Sequence, residues 1–285
     1  MKVALPPRSA WQSLLEQALR EDLGSGDVTS TALLAADARG EARLEAREPL
    51  MACGLPVATA VFQEVDSGLA VLGDAEEGST VAAGAVLLRV SGSLRSILAA
   101  ERTALNFLGR LCGIASGTRR YVEAVAHTHC RIVDTRKTVP GWRVLDKYAT
   151  AVGGAENHRM GLYDALLIKD NHRAAAGGAA AAYKRARARA PAHLRIQVEV
   201  ESEAEARAAV EAGADWLLID NCDRDALRRI VERFGDRAVL EASGGVTLEN
   251  VRAVAETGVH RVSIGALTHS AIAADLALEL EGVRA

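Results

Sequence analysis

Three rhythms of apolar and polar positions divide the chain. Trp11, Leu14, Leu15, Ala18 and Leu19 recur at helical spacing, which predicts an amphipathic opening helix with Ser9 as its cap. From Gly40 to Val90 the rhythm changes to short alternating runs, Ala42 to Ala46 and Val81 to Val90 among them, broken by Gly54, Gly68, Gly73, Gly78 and Gly84. This predicts a β-rich domain with antiparallel or mixed pairing. One long helix follows, from about Leu94 to Cys112, with Leu94, Ile97, Leu98, Leu105 and Leu108 on one stripe. At about 100° per residue Glu101 falls inside that stripe and Arg102 on its shoulder. A carboxylate on an apolar face must find a partner or take a proton. Gly109, Gly113 and Gly117, ending in GIASGT, predict a crossing point into a second domain.

Beyond Thr118 the third rhythm is regular. Apolar runs at Arg131 to Asp134, Ala165 to Lys169, Ile196 to Glu199, Trp216 to Asp220, Ala238 to Glu241 and Arg261 to Ile264 alternate with helical stretches such as Glu203 to Ala212, Arg224 to Phe234 and Leu248 to Glu256. That alternation predicts a parallel α/β architecture. Each run ends in a polar or glycine signal: Arg136 and Lys137, Lys169, Glu199, Asp220, Ser243 with Gly244 and Gly245, Ser263 with Gly265. A barrel collects its site from the carboxyl ends of many strands, an open sheet from one switch point, so the distribution favours a barrel. The visible runs fall short of the usual eight or so strands. Either the barrel is incomplete or a strand hides in the alanine-rich region, Ala174 to Ala190. The basic residues of that region are expected on the solvated outer face of a barrel helix rather than on nucleic acid.

The stretch from Asp134 to His172 concentrates the chemistry. Two apolar runs deliver cations at their carboxyl ends with a helical segment between them, which predicts one βαβ unit. Arg136 with Lys137 and His158 with Arg159 are doublets in loops punctuated by Pro140, Gly141, Gly153, Gly154 and Gly161, where side chains can converge on an anionic small molecule. SGGV at Ser243 to Val246 precedes a predicted helix opened by Thr247, and Gly265 precedes another; backbone N–H groups there suit a phosphate. Glu199 and Asp220, on adjacent strand ends, either balance the cations or serve a Mg²⁺ ion or sugar hydroxyls. Glu21, Asp22 and Asp27 in EDLGSGDVTS are expected to cap the next element rather than hold a metal.

Composition removes several classes. The 285 residues carry a net charge of −3, with 49% hydrophobic and 25% charged residues, which favours neither nucleic acid nor a bilayer. The amino terminus lacks a secretory pattern and no run approaches the ~20 apolar residues of a membrane span, so a cytoplasmic protein is expected. Cys53, Cys112, Cys130 and Cys222 are widely spaced, without metal-ligand spacing, and are expected as reduced thiols.

The motifs ERTALNFL, DTRKTVPG, GGAENHR, LIKDNH, VEVE, LLIDN and SGGV, in this order, resemble quinolinate phosphoribosyltransferase from EDLGSGDVTS to SIGALTHSA. The resemblance implies an amino-terminal α/β sandwich (1–112), an open barrel of about seven strands (113–270) and a carboxy-terminal helix (271–285) that packs on the first domain. It implies transfer of phosphoribose from phosphoribosyl pyrophosphate to quinolinate with decarboxylation and Mg²⁺, in NAD biosynthesis. Arg102, Thr135, Arg136, Lys137, His158, Arg159 and Lys169 would surround the quinolinate carboxylates and substrate phosphates, with Lys137, Lys169, Glu199 and Asp220 catalytic. Glu199 and Asp220 would serve the ribose and metal. Ser243, Gly244 and Gly245, with Ser263, Ile264, Gly265 and Ala266, would hold the 5′-phosphate. A homodimer or larger assembly with a shared site is implied. Val139, Trp142, Glu156 and Arg173 depart from the family pattern. The alternatives are a fold relative associated with molybdenum transport and a non-catalytic anion-binding barrel.

Overall fold

The computed structural model describes residues 3–284, which form two compact units. The first comprises Met1–Thr118, Val139–Gly153 and Ser270–Ala285, the second Arg119–Thr138 and Gly154–His269. In chain order the first elements are α1 (Gln12–Leu23), α2 (Val28–Leu33), β1 (Arg39–Ala46), β2 (Leu50–Met51), α3 (Leu55–Val65), β3 (Ala70–Gly73), β4 (Thr80–Val81), β5 (Val86–Ser93) and α4 (Leu94–Ala124). There follow β6 (Arg131–Val133), α5 (Arg143–Val152), β7 (Leu166–Ile168), α6 (Asp170–Ala176), α7 (Ala179–Arg189), β8 (Ile196–Val200), α8 (Glu203–Glu211) and β9 (Trp216–Asp220). The last are α9 (Arg224–Phe234), β10 (Val239–Ser243), α10 (Val251–Ala255), β11 (Arg261–Ser263), α11 (Ala266–His269) and β12 (Leu276–Arg284).

The second unit is an open β/α barrel built on parallel strands in the order β6-β11-β10-β9-β8-β7. Its strands coincide closely with the predicted apolar runs, because on each strand one face joins the core shared with the helices, as Ile196, Val198 and Val200 do in β8, while the other carries buried polar residues such as Gln197, Glu199 and Glu241. A seventh position exists, but as a single bridge. Val133 pairs in parallel with Glu156, whose N–H donates to the Ile132 carbonyl at 2.8 Å and whose carbonyl accepts from Asp134 N–H at 3.1 Å. The alanine-rich region contributes no strand; it forms α6 and α7, with Lys184, Arg185 and Arg189 exposed on the outside. Asp134 to His172 is not a βαβ unit. β6 and β7 occupy opposite ends of the ladder, and α5 lies in the first unit, where Leu145, Tyr148 and Ala149 join the core around Phe62 and Phe107.

In the first unit the sheet order is β12-β1-β5-β3, antiparallel throughout, beside a small β2-β4 pair. The carboxy-terminal segment is a strand rather than the expected helix: Leu276, Leu278 and Leu280 alternate with Ala277, Glu279 and Glu281, and the run pairs with β1 from Ala46↔Leu276 to Arg39↔Arg284. Glu279 meets Arg47, and Glu281 meets both Arg43 and Arg89, so cross-strand ion pairs hold the register. α3 breaks the β-rich stretch. Its start is capped from a distance by Glu77, which accepts the N–H groups of Gly54 and Leu55. Ser9 lies in a short 3-10 turn and caps nothing; α1 begins after Trp11. Asp27 does cap α2, accepting from Thr29 and Ser30 N–H. Trp142, one of the departures from the family pattern, stacks on Phe107 with centroids 4.7 Å apart.

α4 is longer than expected, 31 residues against a predicted end near Cys112. The GIASGT glycines are therefore helical, and the predicted crossing into the second unit does fall at their end, after Thr118, inside a continuous helix. They let another backbone approach. A Cβ on Gly113 would lie 2.0 Å from the Ile272 carbonyl oxygen, and one on Gly109 3.1 Å from that of Ala274; Ala274 N–H also donates to the Gly109 carbonyl at 2.9 Å. The segment entering β12 thus runs along a glycine seam. Glu101 is half-buried on this helix. Burial lifts its carboxyl above the ordinary carboxylate range, Arg102 pulls it back and Glu279 pushes it further up.

A paired substitution tests the seam. Gly113→Ala forces backbone from backbone and should lower stability by about 1–3 kcal/mol. Gly117→Ala meets nothing within 4 Å and should raise it by roughly 0.5–1 kcal/mol through helix propensity. Urea unfolding of both variants measures the contrast; equal shifts would remove the seam.

Candidate active site

The parallel ladder sets the order of the polar strand ends. Along β7-β8-β9-β10-β11-β6 and then the Glu156 bridge come Lys169, Glu199, Asp220, Ser243 to Gly245, Ser263 to Ala266, Thr135 to Lys137, and His158 with Arg159. The contacts follow the same order. Lys169 Nζ lies 3.9 Å from Glu199 Oε2, and Asp170 N–H donates to Glu199 Oε1 at 3.2 Å. Asp220 pairs in register with Ser243. Asn221, with φ 52°, donates its N–H to the Ser243 carbonyl at 3.0 Å. A Cβ on Gly244 would stand 2.1 Å from Asn221 Oδ1, so that turn, at φ 95°, accepts glycine alone.

The last loop closes against the first. The Lys137 side chain lies over Gly265, where a Cβ would come within 2.9 Å of Lys137 Cδ, and Thr268 Oγ1 donates to the Lys137 carbonyl at 2.8 Å. Lys137 N–H in turn donates to Thr135 Oγ1 at 3.0 Å. Gly265 leads directly into α11, as the anion argument requires. The SGGV loop differs: Thr247 does not open a helix, and α10 begins only at Val251 after Asn250 Oδ1 accepts Thr247 N–H. Its Gly244 and Gly245 supply N–H groups without a helix start directly behind them.

Charge is concentrated here. Burial, with Arg136 nearby, pulls the Arg159 guanidinium below its ordinary value, and Asp164 opposes them. Arg159 Nη1 donates to the Ala165 carbonyl at 3.0 Å. Burial lifts the Glu199 carboxyl above the ordinary range; the Asp170 N–H and Lys169 lower it, while Asp220 and Asp170 raise it. Arg173 is spent elsewhere, in ion pairs with Glu201 and Glu205.

Several residues at this end were not anticipated. Asp134, fully buried, accepts from Asn157 Nδ2 at 2.8 Å and His158 N–H at 2.7 Å, tying the end of β6 to the 157–159 segment. Gln197, Glu241 and Arg261 lie within the strands. The same-face rule could have found them, since they stand two residues before Glu199, Ser243 and Ser263. His158 turns its ring to Gln197 at 2.8 Å. Arg102 is exposed on α4 in the first unit. A cavity of about 290 Å³ lies against the ring's 157–159 arc, lined by His158, Arg159, Arg195, Gln197, Trp216 and Arg261 but not by Lys169, Glu199 or Asp220.

No cluster of three metal-ligating side chains occurs among the described residues. Glu199 and Asp220 are a two-carboxylate set, and Lys169 already leans on Glu199. Such a pair suits a Mg²⁺ ion that keeps its waters and arrives on substrate phosphates, not a dedicated protein cage.

The fold agrees with known proteins. Residues 27–112 match the family model described as quinolinate phosphoribosyl transferase, N-terminal domain, and residues 114–279 match that of the C-terminal domain. The nicotinate-nucleotide pyrophosphorylase (carboxylating) of Mycobacterium leprae is 42% identical over 277 residues, 95% of this chain and 97% of the relative. A probable enzyme of the same name from Synechocystis sp. is 40% identical over 265 residues, 92% and 90% of the two chains. The nicotinate-nucleotide pyrophosphorylase structure from Francisella tularensis superposes with a TM-score of 0.94 at 34% identity, covering 99% of both chains. With both domains matched in order along nearly its whole length, the chain belongs to the quinolinate phosphoribosyl transferase family.

Proposed function

We infer that this chain transfers phosphoribose from phosphoribosyl pyrophosphate to quinolinate and releases carbon dioxide and pyrophosphate, forming nicotinate mononucleotide for NAD biosynthesis. The observation that carries this is the ring of polar strand ends, cations on one arc and glycine loops on the other, with Glu199 and Asp220 between them. Family membership favours this activity over a molybdenum-transport-associated relative or a non-catalytic anion-binding barrel.

In this scheme Arg136, Lys137, Arg159 and Lys169 pair with the quinolinate carboxylates and hold the pyridine nitrogen in line with the ribose carbon. The Ser243–Gly245 and Ser263–Ala266 loops hold the 5′-phosphate through backbone N–H groups. Departure of pyrophosphate leaves an oxocarbenium-like ribose, which Glu199 and Asp220 stabilise while orienting its hydroxyls. Glu199 and Asp220 would also face a Mg²⁺ ion carried by the pyrophosphate, whose chemistry is to neutralise the leaving group. Decarboxylation then puts negative charge on the ring carbon, and Lys137 and Lys169 are the cations assigned to it. Four free thiols, three of them buried, and the lack of any described helix long and apolar enough to cross a membrane suit a cytoplasmic enzyme.

The direct test is turnover. Quinolinate should be used with phosphoribosyl pyrophosphate and Mg²⁺, and nicotinate should not. Each charge-assisted contact is worth about 1.5–3 kcal/mol, so a missing carboxylate should cost ~10-fold to more than 100-fold. Comparable turnover of nicotinate at equal concentration sinks this specificity.

Glu199 carries a second expectation. Its raised folded-state value means that the protonated form adds stability below the ordinary glutamate range, about 4.3, and that this is lost as pH rises through the folded value. Glu199→Gln should therefore unfold at higher urea than the parent at pH 7.5, the gain shrinking toward pH 4, while activity falls by about 100-fold. A variant less stable at pH 7.5 contradicts this.

Arg102 is assigned to the site of a neighbouring chain in a two-fold dimer, as an exposed cation on a helix face suited to subunit contact. Inactive Arg102→Ala chains mixed with inactive Lys169→Ala chains should recover up to about a quarter of native activity at random mixing, since half the dimers then hold one intact site. Mixed dimers without recovery would return Arg102 to its own chain.

A further inference from the structure

The turn that follows β9 is tied to both neighbouring strands. Asn221 donates its N–H to the Ser243 carbonyl on β10 at 3.0 Å, and the Cys222 thiol donates to the Glu201 carbonyl, just past β8, at 3.3 Å. Asp223 then caps α9, accepting the Ala226 N–H at 2.7 Å. Within this turn Asn221 is left-handed, with φ 52°, and among the described residues no other non-glycine has a positive φ. An L side chain is held there at a cost that glycine does not carry. The backbone alone therefore does not explain why the position holds asparagine.

The side chain does. Its Nδ2 donates to Asp220 Oδ2 at 2.9 Å; a carboxylate only accepts, so the amide turns its nitrogen that way. Its oxygen then lies over Gly244, where a Cβ would fall 2.1 Å from it. One amide thus spans the gap between a strand-end carboxylate and the SGGV loop. We propose that Asn221 is a positioning residue for the phosphoribosyl half of the site, holding the Asp220 carboxylate in the orientation that meets the ribose hydroxyls. This rests on the assignment of Asp220 to the ribose and of Ser243 to Gly245 to the 5′-phosphate.

The chemistry selects asparagine. Asp220 is close enough to Glu199 to raise its carboxyl, so the two groups repel and an untethered Asp220 swings away from Glu199. Lysine or arginine at position 221 would hold Asp220 but cancel the charge that an oxocarbenium-like ribose requires. Aspartate offers no donor and adds a third carboxylate. Glycine fits the turn and leaves Asp220 untethered. Asparagine tolerates the left-handed backbone, donates, and stays neutral.

Two variants of the full chain test this. Asn221→Gly removes the amide and relieves the backbone; Asn221→Asp keeps the shape and loses the donor. Asn221→Gly should unfold at a urea concentration close to the parent's, so that its loss of activity is not a loss of stability. Its KM for phosphoribosyl pyrophosphate should rise about tenfold, the loss of one hydrogen bond to a charged group, while that for quinolinate changes less than about twofold. Asn221→Asp should lose at least as much. Crystal structures of the parent and Asn221→Gly should show the Asp220 carboxylate turned away in the variant, with Gly244 in place. Should Asn221→Gly fail to fold, Asn221→Asp takes its place in both measurements. A parent-like KM for phosphoribosyl pyrophosphate in either variant overturns the proposal, as do both KM values rising together or an unmoved Asp220 carboxylate. If the parent failed to use quinolinate the functional assignment would fall, and the crystal structures would still decide whether Asn221 holds Asp220.

Discussion

The parallel direction of the barrel strands is the constraint on which the rest depends. In a parallel ladder every strand delivers its next residue to the same mouth, and register decides which neighbours meet. That is why Lys169 leans on Glu199, why Asp220 stands beside Ser243, and why Lys137 reaches Gly265 although 128 positions of chain numbering separate them. Closure is incomplete. Among the described residues the link beyond β6 is the Val133–Glu156 bridge, and β7 pairs with β8. The 157–165 segment is released from ladder hydrogen bonding and is held instead by side chains, chiefly Asp134 on one side and Asp164, which accepts Met160 and Gly161 N–H, on the other. Glu156, a departure from the family pattern, supplies both the bridge and a carboxylate for Arg261.

This mouth gathers groups that disfavour one another in the absence of a ligand. Arg136 lies close enough to Arg159 to depress it, and Asp220 and Asp170 raise Glu199. Each such placement weakens the empty protein, because burial penalises charge and like charges add to the penalty. An anionic ligand would relieve the cationic arc, and a cation the acidic pair. Binding and folding are therefore linked: a ligand that engages only the folded ring raises stability by mass action.

Legibility in the sequence followed the range of the interactions. The strand runs and the polar residue after each were readable because they obey a local period and because parallel strands share one functional end. What escaped depends on contacts distant in sequence. A one-residue strand at Glu156 has no period to detect. α3 is capped by Glu77, and nothing near Leu55 announces it. The α4 glycines mark the crossing between the units, but helix propensity disfavours them, and only the approach of the Ile272 carbonyl shows why they stay in a helix. β12 alternates as a strand should, but its length and leucine content also fit a helix, and pairing with β1 settles the choice.

The interior polar layer follows from the same open wall. A closed barrel can fill its centre with branched aliphatic side chains, since every backbone group is already paired around the circumference. Here the wall lacks a ladder between Glu156 and Leu166, so the chain crossing the gap must be located by side chains from within. Aliphatic packing is non-directional and would tolerate several positions of the 157–159 segment. Hydrogen bonds from Asp134 and through His158 to Gln197 specify one. Burying a carboxylate, a guanidinium and an amide is justified only when the group they locate needs accuracy of a fraction of an ångström. Arg159, next in sequence to the anchored imidazole, bonded to the Ala165 carbonyl and near enough to Arg136 to be depressed by it, is the group in that position.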